Sequence, residues 1–185
     1  MAERGEAPMV KLICGMLSAR AAVLDAAAEE MAKTFGPVDI ISPAMDFDFT
    51  HYYDAQMGSP LQRRFVGFAR PVRAHALVYA KQRTNEIEAD FARRFAAELC
   101  IRRPANLDVG YLEPSKLVLA SMKNFSHRIY LDEGVYAEVT LLHSGGKWQS
   151  LPWTFPDFRS GRYDEFLSAA RRLLVGGRPA AEGTT

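Results

Sequence analysis

The chain has 185 residues and a mass of 20.6 kDa, with 48% hydrophobic and 24% charged residues. At about 150 residues per domain this is one domain with extensions, and the composition excludes a collagen-like repeat, a disulfide scaffold and disorder over most of the length. Lys+Arg total 23 against 22 Asp+Glu, a net charge of +1. That is far from the basic balance of a protein built on phosphate-backbone contacts, and no apolar run reaches the ~18 residues of a membrane helix.

Residues 10–17 are apolar apart from Lys11, the pattern of a central strand buried on both faces. Ser18 is placed to cap the following helix. There Leu24, Ala28, Met31 and Phe35 share one face, and Gly36-Pro37 stops the helix. Residues 38–50 read as one long strand bent at Pro43, with Met45, Phe47 and Phe49 on one face and Asp46 and Asp48 on the other. A loop over 50–60 leads to a strand over 61–68. The clearest helix spans 74–99, with Leu77, Ala80, Thr84, Ile87, Phe91, Phe95 and Leu99 stepping by three or four. Residues 107–112 form a short strand, and the apolar run 116–122 fits strand or helix equally by periodicity. Strands over 127–131, 135–143 and 147–150 and a last helix around Phe166–Leu174 complete the order.

The first six elements run strand, helix, strand, strand, helix, strand. The expected fold class is therefore α+β: a ferredoxin-like βαββαβ core with a C-terminal β-hairpin extension and a final helix. One domain is expected over 9–175, between disordered tails at 1–8 and 176–185. Cys14 and Cys100 have no metal spacing to histidine and read as reduced core thiols. The N-terminus lacks an apolar signal segment. A cytoplasmic location, with no membrane partner, is the resulting expectation.

The hairpin register can be argued from face sorting. A three-residue loop, Asp132-Glu133-Gly134, sets Ile129 opposite Ala137 on the core face and Arg128 opposite Glu138 and Tyr130 opposite Tyr136 on the polar face. A two-residue loop mixes apolar and charged groups on both faces. The polar face could serve as a ligand platform, with rings to stack and a charged pair to hydrogen-bond. On the long helix, Lys81, Asn85 and Glu88 share a second polar face beside Thr84. Asn106-x-Asp108 supplies a third polar set.

Other motifs are weak. Gly145-Gly146-Lys147 lacks P-loop spacing, since Leu141 stands at the glycine position and Trp148 follows the lysine. The basic pairs Arg63-Arg64 and Arg102-Arg103 read as solvated faces. Asp46, Asp48 and His51 could meet a hard metal only in an enzyme reading, so no metal ligand and no cofactor are assigned.

Several strings carry a family resemblance: Lys81-Gln-Arg-Thr84-Asn85-Glu-Ile-Glu88, Asn106-Leu-Asp108-Val-Gly110-Tyr111, His127-Arg128-Ile-Tyr130, Val135-Tyr136-Ala-Glu138 and Pro152-Trp-Thr-Phe-Pro-Asp157. Over about residues 10–174 the chain resembles the bacterial family catalogued as domain of unknown function 4416. It departs at Val109, where proline is usual, and at Phe155 and Phe158, where tyrosine is usual. Members are often described as GTP-binding, so the resemblance implies a nucleotide site without a P-loop.

The expected function is binding of a small phosphorylated or nucleotide ligand. The candidate ligand-binding residues are Lys81, Thr84, Asn85, Glu88, Asn106, Asp108, Tyr111, Lys116, Arg128, Tyr130, Tyr136 and Glu138. Tyr130 and Tyr136 would stack on a ring, and Arg128, Lys81 or Lys116 would meet phosphate. The alternative is an acid/base or metal-dependent enzyme acting on a small anion. Asp108, Glu88 or Glu138 would then be the base and Lys81 or Lys123 the charge stabiliser. The near-neutral charge argues against nucleic acid. All three polar sets are expected to converge on one pocket.

Overall fold

The computed structural model describes residues 5, 7–99 and 101–177. Its elements are β1 (Met9–Ser18), α1 (Ala21–Phe35), β2 (Val38–Ile41), β3 (Met45–Asp46), α2 (Asp54–Met57), β4 (Gln62–Phe68), β5 (Val72–Arg73) and α3 (Ala76–Leu99). There follow β6 (Asn106–Leu112), β7 (Lys116–Ser121), β8 (Ile129–Asp132), β9 (Val135–Ser144), β10 (Lys147–Ser150), α4 (Pro156–Arg159) and α5 (Asp164–Gly176). Cys100 and most of the two expected tails lie outside the described residues.

The architecture is α+β. A ten-stranded sheet runs β10-β9-β7-β6-β1-β4-β2 with antiparallel neighbours, while β3 pairs with β4, β5 with β1 and β8 with β9. The sheet is thus far wider than the four strands of a ferredoxin-like core. Residues 116–121, ambiguous by periodicity, are strand β7, paired on both sides.

Strand β1 is buried on both faces because helices cover both. On one face Leu12, Cys14 and Met16 meet α1 through Leu24 and Met31, and α3 through Leu77, Ile87 and Phe91. On the other, Ile13, Phe65, Leu119 and Leu141 meet Phe158, Tyr163, Phe166, Leu167 and Ala170. Two glycines let side chains and strands approach closely. A Cβ on Gly15 would lie 2.8 Å from the Phe65 ring, and one on Gly110 would lie 2.4 Å from the Val118 carbonyl oxygen.

Four local expectations are corrected. Ser18 does not cap α1, whose N-cap is Arg20. Its hydroxyl accepts the Arg20 N–H at 3.1 Å and donates to the Pro104 carbonyl at 2.7 Å, tying the end of β1 to the approach to β6. The single strand over 38–50 is two short strands. Pro43 has no N–H for the ladder, and the Ser42 hydroxyl substitutes locally by accepting the Phe65 N–H at 2.9 Å.

The hairpin keeps the face-sorting register, Ile129 with Ala137 and Tyr130 with Tyr136, but reaches it differently. Asp132 pairs with Val135 around a two-residue turn, Glu133-Gly134, both at positive φ, and a bulge at residue 131 restores the register. Finally, Ile129 does not face the core. It is 69% exposed, as β8 is a short strand on the outer edge of β9 with all four residues exposed.

The helix stripe is also graded, since Phe91 is fully buried while Phe95 is half-buried and rests edge-on against it at 5.3 Å. Phe91→Ala should lower stability by about 3–5 kcal/mol, and Phe95→Ala by clearly less. Urea midpoints read at constant m-value test this, and equal losses would contradict the packing.

Candidate functional site

Strands β6 and β7 pair only from Gly110–Leu112 to Leu117–Leu119 and then part. The wedge leaves the outward backbone of Leu107 without a strand partner. A buried orphan N–H or C=O costs about 1–3 kcal/mol, and α3 supplies both partners. Glu88 Oε1 accepts the Leu107 N–H at 2.7 Å, and Lys81 Nζ donates to the Leu107 carbonyl at 3.2 Å. The spacing Lys81-x-x-Thr84-Asn85-x-x-Glu88 therefore has a structural cause: two turns of helix reach down to one residue of an open strand. Buried Thr84 donates to the Lys81 carbonyl within the helix.

A cavity of about 970 Å³ occupies the wedge. It lies where β4 and β6 begin and β7 ends, and α3, the segment around α2 and α4 contribute to its walls. Among the expected residues, Lys81, Asn85, Asn106, Asp108, Arg128 and Glu138 line it, so part of each polar set does meet there. Glu88 and Thr84 stand behind the wall. The others lie elsewhere. Tyr111 and Tyr130 line a separate cleft of about 550 Å³ beside Leu77 and Val78. Tyr136 packs edge-on against Tyr130 at 5.3 Å and lines neither cavity. Lys116 pairs with Glu113 at 2.8 Å. The expected tyrosine platform is therefore not part of the cavity.

Arg63, read from sequence as a solvated basic pair with Arg64, lies on the cavity floor and is 4% exposed. Its guanidinium holds Asp108 at 2.7 Å and Asp157 at 3.6 Å, and lies over the rings of Phe47 and Phe65 at 5.2 and 5.9 Å. Arg63 Nε has no hydrogen-bond partner among the described residues. Burial would lower the Arg63 pKa, but the two aspartates raise it above its ordinary value.

The aspartates differ. Burial would raise Asp108, yet Arg63, Lys81 and the Asn106 amide together hold it below the usual carboxylate range. Burial dominates at Asp157 and pushes its carboxyl up, against the pull of Arg63 and bonds from the Phe158 N–H and the Tyr163 hydroxyl. The sequence signal for Arg63 was its two-residue phase with buried Phe65. Asp157 stood in the Pro-Trp-Thr-x-Pro-Asp string.

The polar floor continues from Asp108. Asn106 Nδ2 donates to Asp108 at 2.8 Å, Arg103 donates to Asn106 Oδ1, and Arg103 pairs with Glu88 at 3.0 Å. Burial raises the Glu88 pKa, opposed by Arg103 and Lys81. On the β7–β9 side, buried Glu138 faces His127 Nε2 at 3.0 Å and Arg128 Nε at 2.9 Å. Arg128 also donates to the Ser121 hydroxyl and the Lys123 carbonyl. Arg128 thus neutralises a buried carboxylate rather than standing free for a ligand.

Lys81 is different. It is 7% exposed, lines the cavity, and forms no ion pair within 4.0 Å among the described residues. Asn85, one turn on, lines the cavity with its amide making no hydrogen bond among them. Five cationic side chains line the cavity against three carboxylates: Arg63, Lys81, Arg103, Lys123 and Arg128 against Asp108, Glu138 and Asp157.

The hard-metal candidates fall outside the cavity. Asp48 pairs with Arg162 at 2.9 Å and His51 with Asp54 at 2.9 Å. Among the described residues no three His, Cys, Asp or Glu side chains group as metal ligands. Cys14 is a buried free thiol whose pKa burial pushes up. No helix among the described residues is long and apolar enough to cross a membrane.

No curated protein and no solved structure matches the chain. One family model does, over residues 8–173, a span holding the wedge, the Arg63 centre and the Glu138 cluster. The chain belongs to the family described as domain of unknown function DUF4416.

Proposed function

We propose that the cavity between β6 and β7 binds a small anionic ligand, with a phosphorylated metabolite or nucleotide as the expected class and Lys81 and Asn85 as its first contacts. One observation carries this reading: a buried ammonium lines a roomy cavity, and the neighbouring carboxylates are already committed to other cations. An ammonium in that position retains donors for an anion. The excess of cationic over anionic lining groups favours the same sign of ligand. On this reading the protein is a cytoplasmic binding module. The order β6-β1-β4-β2, with α1 and α3 on one face, further supports reading the first half as a split βαβ unit of ferredoxin-like type.

A second reading rests on the two aspartates around Arg63. Two carboxylates in one cavity, pushed apart in pKa by their surroundings, are the arrangement of an acid/base couple. Asp157 would carry the proton and Asp108 would stay ionised.

Each reading has a direct test. Lys81→Met removes one charge-assisted contact of about 1.5–3 kcal/mol, so pyrophosphate affinity by calorimetry should fall about 10- to 100-fold. The melting temperature should fall as well, because the buried Leu107 carbonyl loses its donor at a cost of about 1–3 kcal/mol, so affinities are compared on folded protein well below the transition. Unchanged affinity would count against the site. For the second reading, carboxyl carbon NMR should find Asp157 taking up its proton first as pH falls, above the ordinary carboxylate value, and Asp108 last, below it. A common midpoint would remove the couple.

A further inference from the structure

Resting on the anion reading, we propose that the ligand carries a planar ring beside its anionic group, and that Tyr52 and Phe125 are the ring contacts. The cavity lining is graded. Lys81, Arg63, Glu138 and Asp157 are all buried, whereas Tyr52 is 67%, Phe125 62% and Phe155 48% exposed. Most of the charged lining groups are therefore deep, and three of the most exposed lining groups, beside Lys123, are aromatic. These three rings come from three separate segments, before α2, after β7 and before α4. Scattered exposed rings need no explanation, but three exposed rings lining one cavity are apolar surface of the kind that marks a binding site.

The rings are also held in place. Tyr52 packs edge-on against Tyr53 at 5.1 Å, and Tyr53 rests on Phe47 at 6.3 Å. Phe125 leans on His127 at 5.0 Å. His127 is stacked on Trp153 at 5.2 Å and 7° and hydrogen-bonded to buried Glu138. Trp153 donates to the Val139 carbonyl at 2.8 Å. Glu138 therefore does two things: it neutralises Arg128, and through His127 it fixes the orientation of an exposed ring. A pre-positioned aromatic face stacks on any planar π-system without reading its edge. Simple aryl phosphates and nucleoside phosphates share that chemistry.

Calorimetry with methyl phosphate, phenyl phosphate and AMP tests the inference on the full chain. The two ring-bearing phosphates should bind about tenfold or more tighter than methyl phosphate. In the Tyr52→Ala/Phe125→Ala double variant that advantage should shrink to about twofold, with methyl phosphate unchanged. Both residues are exposed, so the variant keeps the fold. AMP well above phenyl phosphate identifies a nucleotide, and equal affinities identify a general aryl phosphate. Methyl phosphate matching both ring compounds, or an advantage that survives in the double variant, overturns the ring proposal. In either of those cases a Lys81-dependent pyrophosphate affinity leaves the anion reading standing. A wild-type chain that binds neither pyrophosphate nor any of the three phosphates ends both.

Discussion

The parting of β6 from β7 beyond the Gly110–Leu119 pair is the constraint on which the site depends. A sheet that splits in its middle exposes backbone donors and acceptors that would otherwise be paired within the ladder. Here the opened residue is Leu107, and the long helix closes the account with Lys81 and Glu88. The cavity is then a consequence rather than a packing defect. The two main hydrophobic clusters lie on either face of the sheet, and both reach the cavity wall, one through Ala120 and the other through Leu119 and Phe158. Gly110 stands at the branch point, too close to the Val118 carbonyl for a side chain.

Within the wedge one chain of polar contacts runs from Tyr163 through Asp157, Arg63, Asp108, Asn106, Arg103 and Glu88 to the Leu107 N–H. It joins α4, β4, β6 and α3. Its room is made partly by Gly15, where a Cβ would lie 3.0 Å from an Arg63 terminal nitrogen. Buried charges of this kind are a weak source of stability, because desolvation offsets most of the attraction. Deleting one member is costly, since its partner is left charged and unpaired. That distinction makes Arg128 a poor probe of ligand binding. Its removal would leave buried Glu138 with only His127 and a 3.4 Å contact from the Thr140 hydroxyl, so any loss of affinity would be mixed with damage to the fold.

Much of the frame could be read from the residues. The run at 10–17, apolar apart from Lys11, identified a strand covered on both faces. The three- and four-residue stepping from Leu77 to Leu99 identified α3, and face sorting identified the Ile129–Ala137 register. The polar spacings on α3, β6 and β9 marked residues that do gather at the wedge. What could not be read was which polar groups would be consumed by one another. Tyr130 and Tyr136 share a face with Arg128 in an ideal ribbon, but β8 is an exposed edge strand and Tyr130 lies against a different cleft. Arg63 was hidden because an Arg-Arg pair resembles surface. Only its packing beside Gly15 and its distance from two aspartates reveal a buried charge.

The arrangement of satisfied and unsatisfied groups is what separates a binding cavity from a purely structural network. A polar network whose members all pair internally is a structural device, and nothing further need bind to it. Here the pairing is nearly complete: Arg63, Arg103 and Arg128 each face a carboxylate, and Asp108, Glu138 and Asp157 each accept from more than one donor. Capacity is left over at Lys81 and Asn85, on adjacent turns of one helix face, and also at Arg63 Nε and at the exposed Lys123. Exposed groups could leave such capacity to bulk water at no cost. Lys81 is nearly enclosed, and on the anion reading its remaining donors are what a ligand would meet. On that reading, a negative group brought to Lys81 would add to the pairing while the ion pairs of Arg63, Arg103 and Arg128 stay as they are.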